Sequence, residues 1–341
     1  GSEMCIRDRL SLSLLGYCKY AGFFLRTLGA LTGLSLPALQ IALPIGISFY
    51  TFQVLSYVID VYRGTVPPQR NLLQLATYVA MFPQLIAGPI VRYADIAPEL
   101  IRRRHTLTDA AAGARRFVVG LGKKVLIANV LYELMSAFLQ STQPSVLFTW
   151  LYAVACALQI YFDFSGYSDM AVGLGRIFGF HFPENFRYPF LSGSVTEFWR
   201  RWHISLGSWF RDYVYIPLGG SRCSRSRWLL NVFLVWGLTG LWHGAAWNFV
   251  LWGLFFAVLL AAEKLWYGHG LEKTRLLKHL YMLPLLAVSF VLFHAADLPA
   301  AGQRIAALFG FGGLPASGVE SLYYLRSYAC LLYTSDAADD K

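Results

Sequence analysis

Of the 341 residues, 56% are hydrophobic and 14% are charged, where an ordinary soluble domain carries about 25% charged residues. The chain has 29 basic and 19 acidic side chains, a net charge of +10. The basic residues sit in short clusters between long uncharged stretches rather than along one continuous face, which excludes a disordered or nucleic-acid-wrapping chain and points to a membrane protein.

Gly1 to Arg9 (GSEMCIRDR) and Ala329 to Lys341 (ACLLYTSDAADDK) differ abruptly in character from the apolar sequence they join. Both are expected to be adapter-derived and foreign to the natural chain, so they are set aside in fold reasoning. Residues 10–328 are then expected to form one membrane domain, a fragment shortened at its N-terminal end and also at its C-terminal end. No linker and no repeat of 20 to 50 residues divides it.

In chain order, Thr27 to Ile59, Asn71 to Val91, Leu134 to Phe162, Trp228 to Ala262 and His279 to Ala296 contain no Asp, Glu, Lys or Arg. A hydrocarbon core of about 30 Å needs roughly 20 helical residues. With the mixed segments around Leu10 to Leu25 and Phe117 to Leu139, the sequence predicts about seven to nine spans or half-spans. Barrel strands alternate over about 10 residues, and these runs are longer and more uniformly apolar, so the fold class is all-α. The basic clusters Arg102-Arg-Arg-His105, Arg115-Arg116, Lys123-Lys124, Arg222 to Arg227, and Lys273, Arg275 and Lys278 mark loops expected to face the cytoplasm.

From Asp163 to Arg227, eight Arg, no Lys and five acids are interleaved with Trp, Tyr and Phe. Apolar pieces here are too short to span, which predicts broken, re-entrant and amphipathic helices shielded by surrounding spans. Arg suits buried ion pairs and bidentate contacts, and an interfacial collar of Arg and aromatics is the plainer reading of most of these residues. Ser194-Val-Thr-Glu197 reads as a capping box that opens a helix through Leu206. On that helix His203 would share a face with Trp199, Arg200 and Gly207, and Glu197 would pair with Arg201 at i, i+4. Taken alone, the segment favours a packed rather than a reactive His203.

Trp228 to Ala262 is too long for one crossing, since 35 uncharged residues make a helix of about 52 Å. It must bend, and Gly237, Gly240 and Gly244 supply the place. His243 lies there, deep in a predicted hairpin, and an ionisable residue at such depth is a functional candidate. Imidazole takes and returns a proton near neutrality; the alternative is a structural hydrogen bond to a neighbouring helix. Asp163 and Asp169 follow the preceding apolar run and should be paired, with Arg176, Arg187 or Arg200 as candidates. Arg92 reads as an interfacial snorkelling side chain.

Other strings carry less. His105-Thr-Leu-Thr-Asp109 follows three arginines in a loop, without the βα pattern an acyltransferase motif of that spacing needs. Gly120-Leu-Gly122 and Gly173-Leu-Gly175 are expected to serve helix packing rather than a dinucleotide. Cys18 and Cys156 read as small buried hydrophobes, Cys223 as an inert loop residue, and no cysteine or histidine spacing suggests a metal.

Three ordered strings, Trp199-Arg-Arg-Trp-His203-Ile-Ser-Leu, Arg211-Asp-Tyr-Val-Tyr-Ile-Pro-Leu-Gly-Gly220 and Leu238-Thr-Gly-Leu-Trp-His243-Gly-Ala-Ala-Trp-Asn248, resemble the membrane-bound O-acyltransferase family, in particular its alginate and peptidoglycan O-acetyltransferase membrane subunits. Leu43 to Gln53, Phe82 to Ile90 and Tyr161 to Asp169 add to the likeness, which covers roughly Leu10 to Tyr328. The resemblance implies a multi-helix bundle in the bacterial cytoplasmic (inner) membrane with broken helices around a central tunnel. It implies acetyl transfer from a cytoplasmic donor such as acetyl-CoA toward an exported polysaccharide acceptor, completed by a separate periplasmic or extracellular acetyltransferase partner. His243 corresponds to the family's catalytic histidine and His203 to its second motif position. Asp163, Arg200, Arg201, Trp242 and Asn248 would support the tunnel, with the Asn248 amide or the Gly-broken turn as oxyanion donors. Rival readings are a polytopic transporter, for which buried His, Asp and Arg are also expected, and a non-catalytic scaffold of a polysaccharide-modification complex.

Overall fold

A computed structural model describes residues 2–337 apart from Ala38, Gln40, Ala87 and Arg275. The predicted basic residue Arg275 and the last four residues of the second set-aside segment therefore lie outside the described residues. Among the described residues, every regular element is helical: α1 (Ser2–Leu15), α2 (Ala21–Thr32), α3 (Ile47–Tyr62), α4 (Leu72–Ala80), α5 (Phe82–Leu85), α6 (Tyr93–Ile101), α7 (Leu107–Gly122), α8 (Asn129–Gln140), α9 (Val146–Ile177), α10 (Val195–Arg201), α11 (Ile204–Phe210), α12 (Arg225–His243), α13 (Trp247–Ala262), α14 (Gly268–Glu272), α15 (Leu277–His294), α16 (Leu298–Leu308) and α17 (Val319–Ala337). Single π-helical turns join several of them, at Gly16–Tyr20, Lys123–Ala128, Arg211–Tyr215 and Glu263–Tyr267.

Three helices among the described residues are long and apolar enough to cross a membrane, Val146–Ile177, Trp247–Tyr267 and Leu277–His294, fewer than the seven to nine spans or half-spans expected. An uncharged run is not one helix when it holds backbone breakers. Thr27 to Ile59 is interrupted between α2 and α3, around Pro44 and the left-handed Gly46. Asn71 to Val91 breaks at Met81, ahead of Pro83. Leu134 to Phe162 is divided between α8 and α9 by Ser141 to Ser145, where Ser145 Oγ accepts the Phe148 N–H at 3.2 Å and caps α9.

α9 is the axis of the main core. Its 32 residues bury Phe148, Tyr152, Cys156 and Phe162 against Leu131, Leu134, Trp252, Phe256, Leu286 and Phe290 of α8, α13 and α15. Asp163 to Ile177, expected to be broken, continues α9 unbroken. The reason is that its two carboxylates are neutralised from α7 and the π turn after it: Asp169 pairs with Arg116 at 2.9 Å and Lys123 at 3.4 Å, and Asp163 pairs with Lys124. Neither uses the arginines proposed from sequence. A partly exposed carboxylate with such partners does not need the helix to open toward water.

α7 and α9 approach closely because four glycines face each other. A Cβ on Gly120 would lie 2.5 Å from the Gly166 carbonyl oxygen, and one on Gly113 2.5 Å from that of Gly173. The two glycines on each helix stand seven residues apart, so the contact repeats after two turns; this is the packing use expected of Gly120 and Gly173, whereas a Cβ on Gly122 would meet nothing within 4 Å among the described residues. His105 to Asp109 forms the start of α7: Thr106 Oγ1 accepts the Asp109 N–H at 3.0 Å, and Asp109 pairs with Arg176 at 3.0 Å. These partners hold the Asp109 carboxyl below its usual range, Thr106 first and Arg176 next. Arg92, read as a snorkelling residue, instead pairs with Asp212 at 2.9 Å and lies over the Tyr213 ring.

Candidate active site

The site grows from the α12–α13 hairpin. Gly240 sits where a Cβ would be 2.3 Å from the Phe249 carbonyl oxygen, and Gly253 where one would be 2.2 Å from that of Trp236, so the two helices pack backbone to backbone. Gly244, Ala245 and Ala246 reverse the chain, and His243 is the last residue of α12. Its ring is enclosed by Trp242, Trp252 and Phe293, with centroids 5.0, 5.1 and 5.3 Å away, all near edge-on. The predicted hairpin with its histidine at the bend is present.

The end of α12 is held from the far end of the sequence. Tyr20 Oη donates to the Leu241 carbonyl at 2.8 Å, and the Lys19 ammonium donates to the Trp242 carbonyl and, at 2.8 Å, to Ser48 Oγ. A helix C-terminus leaves carbonyls without intrahelical partners and carries partial negative charge, so a phenol and an ammonium are apt caps.

His203 is not in a helix that runs on to Leu206. It occupies the left-handed region, φ +45°, between α10 and α11. Histidine tolerates that conformation better than most side chains, and Asn185 stabilises the break: its backbone carbonyl accepts the Ile204 N–H at 3.0 Å and its Oδ1 accepts the Ser205 N–H at 3.2 Å. The shared helical face with Trp199, Arg200 and Gly207 therefore does not form. The N-cap half of the capping box does: Ser194 Oγ accepts the Glu197 N–H at 3.1 Å, while Glu197 accepts the N–H of Gly193, one residue ahead of the cap, at 2.9 Å and pairs with Arg201 at 2.7 Å. Buried Glu263 accepts the Val195 and Thr196 N–H groups, so an anion stands at the start of α10.

The break turns His203 inward, where it is 2% exposed. Its ring lies 4.6 Å from Phe164 and 5.8 Å from Trp242, so the Trp242 ring contacts both histidines. Around this cluster three buried ring nitrogens, His203 Nε2, Trp242 Nε1 and Trp252 Nε1, have no hydrogen-bond partner among the described residues. Leaving such groups unpaired costs about 1–3 kcal/mol each, and they remain available to polar atoms of a ligand.

The supporting residues take varied positions. The Asn248 amide donates to the Ala295 and Phe293 carbonyls, at 3.0 and 3.5 Å, tying α13 to the end of α15. Arg200 is exposed, and Arg201 bonds Glu197 and the Arg187 carbonyl. Asp163 accepts from Gln159 Nε2 at 3.2 Å; Gln159 Oε1 lies 3.4 Å from His294 Nε2, and His294 is separated from His243 by the Phe293 ring. Lys19, Asn185, Gln159 and His294 were not singled out in the sequence. A signal existed for His294, the last residue but two of an uncharged run, but none for the asparagine. A cavity of about 460 Å³ lies between α8 and α17, lined by Tyr132, Glu133, Gln140 and Tyr324, and another of about 190 Å³ lies beside Phe82, Arg103 and Phe178. Neither is lined by His203 or His243, so neither is the tunnel expected around them.

The sequence profile described as MBOAT, membrane-bound O-acyltransferase family, matches residues 67–295. The chain is 46% identical over 308 residues to the probable alginate O-acetylase AlgI of Azotobacter vinelandii, covering 89% of this chain and 62% of that protein. It is 45% identical over 308 residues to the protein of the same name from Pseudomonas aeruginosa, covering 89% and 59%. To the peptidoglycan O-acetyltransferase of Helicobacter pylori it is 33% identical over 337 residues, covering 89% and 64%. The chain thus spans about six-tenths of the length of these relatives.

Proposed function

The chain belongs to the membrane-bound O-acyltransferase family, and from that premise we propose that it moves an acetyl group from a cytoplasmic donor toward a hydroxyl of an exported polysaccharide, with His243 as general base. One observation carries the reading: a histidine at a helix break is enclosed by aromatic rings, in a cluster where three buried ring nitrogens have no partner among the described residues. The relatives named above support an alginate-like acceptor over peptidoglycan by their higher identity.

In the proposed step the hydroxyl oxygen attacks the acetyl carbonyl carbon while a His243 ring nitrogen takes the hydroxyl proton. The tetrahedral oxyanion is stabilised by the Trp242 and Trp252 N–H groups. When acetyl-CoA is the donor, the C–S bond breaks and the departing thiolate takes the proton back from the imidazolium, so the histidine returns to its starting state. Asp163 supports the pocket through Gln159 and His294. The proposed setting is the bacterial cytoplasmic membrane, crossed several times, and the proposed partner is a periplasmic or extracellular acetyltransferase that completes delivery.

The test is His243→Ala in the complete natural protein, read as acetyl content of the exported polysaccharide with the membrane level of the protein measured in parallel. The expected result is acetylation at background with an unchanged amount of protein. Normal acetylation by this variant refutes the proposal.

A further inference from the structure

The side-chain amide of Asn185 has one orientation that its neighbours allow, and that orientation fixes the protonation of His203. The Ser205 backbone N–H can only donate, so the Asn185 atom 3.2 Å from it must be the carbonyl oxygen Oδ1. The assignment is self-consistent on the other side, where Nδ2 lies 3.2 Å from Ser168 Oγ on α9. Ser205 Oγ accepts the Ile90 N–H at 3.0 Å and donates its own hydrogen to the same Oδ1 at 2.9 Å. His203 Nδ1 lies 3.1 Å from that oxygen. Two lone pairs facing each other at this distance inside a buried cluster would be repulsive, so Nδ1 must carry the hydrogen. In the neutral ring the other nitrogen, Nε2, is then a bare lone pair, and it is buried without a partner among the described residues.

We propose that Asn185 is a positioning residue for the acyl-transfer site: it holds His203 as the Nδ1–H tautomer, so that Nε2 is left as a hydrogen-bond acceptor within the ring cluster that His203 forms with Trp242 and His243. The inference rests on the acyltransferase reading above. It makes the two tryptophans and His203 complementary. The indoles supply N–H donors for a developing oxyanion, and His203 supplies an acceptor that orients a hydroxyl or an imidazole N–H. The same residue also holds the left-handed break that turns the ring inward, its side-chain Oδ1 accepting the Ser205 N–H and its backbone carbonyl the Ile204 N–H. Rotamer and tautomer are thus set by one residue, the tautomer by its side chain. The titratable group that faces His203 is His243, on α12; Phe164 of α9 and Trp242 face it as uncharged rings.

The experiment uses the full-length protein in membranes or detergent. Nitrogen-15 spectra of histidine-labelled protein, with the His203→Gln variant identifying the resonance, are expected to show Nδ1 protonated and Nε2 bare. Asn185→Ala is expected to mix the tautomers and lower kcat about tenfold or more with little change in KM. Asn185→Asp keeps an acceptor at Oδ1 and is expected to retain the Nδ1–H tautomer. Its carboxylate favours the imidazolium, so the acid limb of the pH–rate profile moves to higher pH, a displacement that a merely structural role does not produce. A protonated Nε2 in the unmodified protein, or an aspartate variant with an unshifted profile, overturns the proposal. If His243→Ala abolishes transfer while both Asn185 variants behave as the parent, this inference fails and the acyltransferase reading stands; if His243→Ala is silent, the reading itself fails.

Discussion

Trp242 and Trp252 each bury an indole N–H that nothing among the described residues accepts. If those hydrogens meet the oxyanion, Trp242→Phe or Trp252→Phe should lower kcat by about 10²-fold while the protein stays folded, measured as acetyl transfer per unit of membrane-extracted protein. Retention of full rate by both variants would leave the indoles a packing role only. Residue by residue, the sequence disclosed the groups whose chemistry clashes with their surroundings. His243 stood out because it interrupts a run of 35 uncharged residues. Asn185 did not, since an amide in a loop is unremarkable until the chain it bonds to, eighteen to twenty residues later, is seen to break around it. Lys19 was equally hidden: its meaning lies in carbonyls of α12, and no local spacing reports them.

At the scale of helices, the α7–α9 contact admits no side chain at its glycine positions. Gly120→Leu would force a branched side chain against the Gly166 carbonyl and the Met170 N–H. Such overpacking is expected to cost about 3 kcal/mol, seen as a lowered thermal midpoint in detergent; an unchanged midpoint would mean the helices can part without loss. The same helix pair explains why Asp163 to Ile177 misled the reading of the sequence. A carboxylate in an apolar setting suggests a broken helix when its partner is unknown, yet Arg116, Lys123 and Lys124 lie across the interface and let α9 continue. Conversely, Asn71 to Val91 looked like a span because it lacks charge, and Met81 and Pro83 divide it. Composition reports where charge is absent, and backbone breakers decide whether the helix continues.

Across the whole molecule, Arg116 joins three parts of the chain, since it also pairs with Glu184 in the loop between α9 and α10. The hydrogen bond from Arg116 keeps the Glu184 carboxyl below its usual range. The sign follows: a depressed acid stabilises the fold above its unfolded value and loses that contribution as the pH falls through its folded value. Glu184→Gln should therefore lower stability near neutrality, by about 0.5–1 kcal/mol for a pair so accessible. The difference from the parent should vanish on acidification, as followed by thermal unfolding against pH. A difference that persists in acid would assign the effect to packing. The clasp on α12 has a temporal side as well. Lys19 and Tyr20 leave the ribosome more than two hundred residues before the carbonyls they grip, 223 and 221 positions further on. During synthesis the Lys19 ammonium must wait for its counterpart, and the candidate site cannot close until the late hairpin has been inserted. Lys19→Met combined with Tyr20→Phe should yield protein that integrates on schedule but matures slowly, visible in pulse-chase labelling as a lengthened protease-sensitive interval.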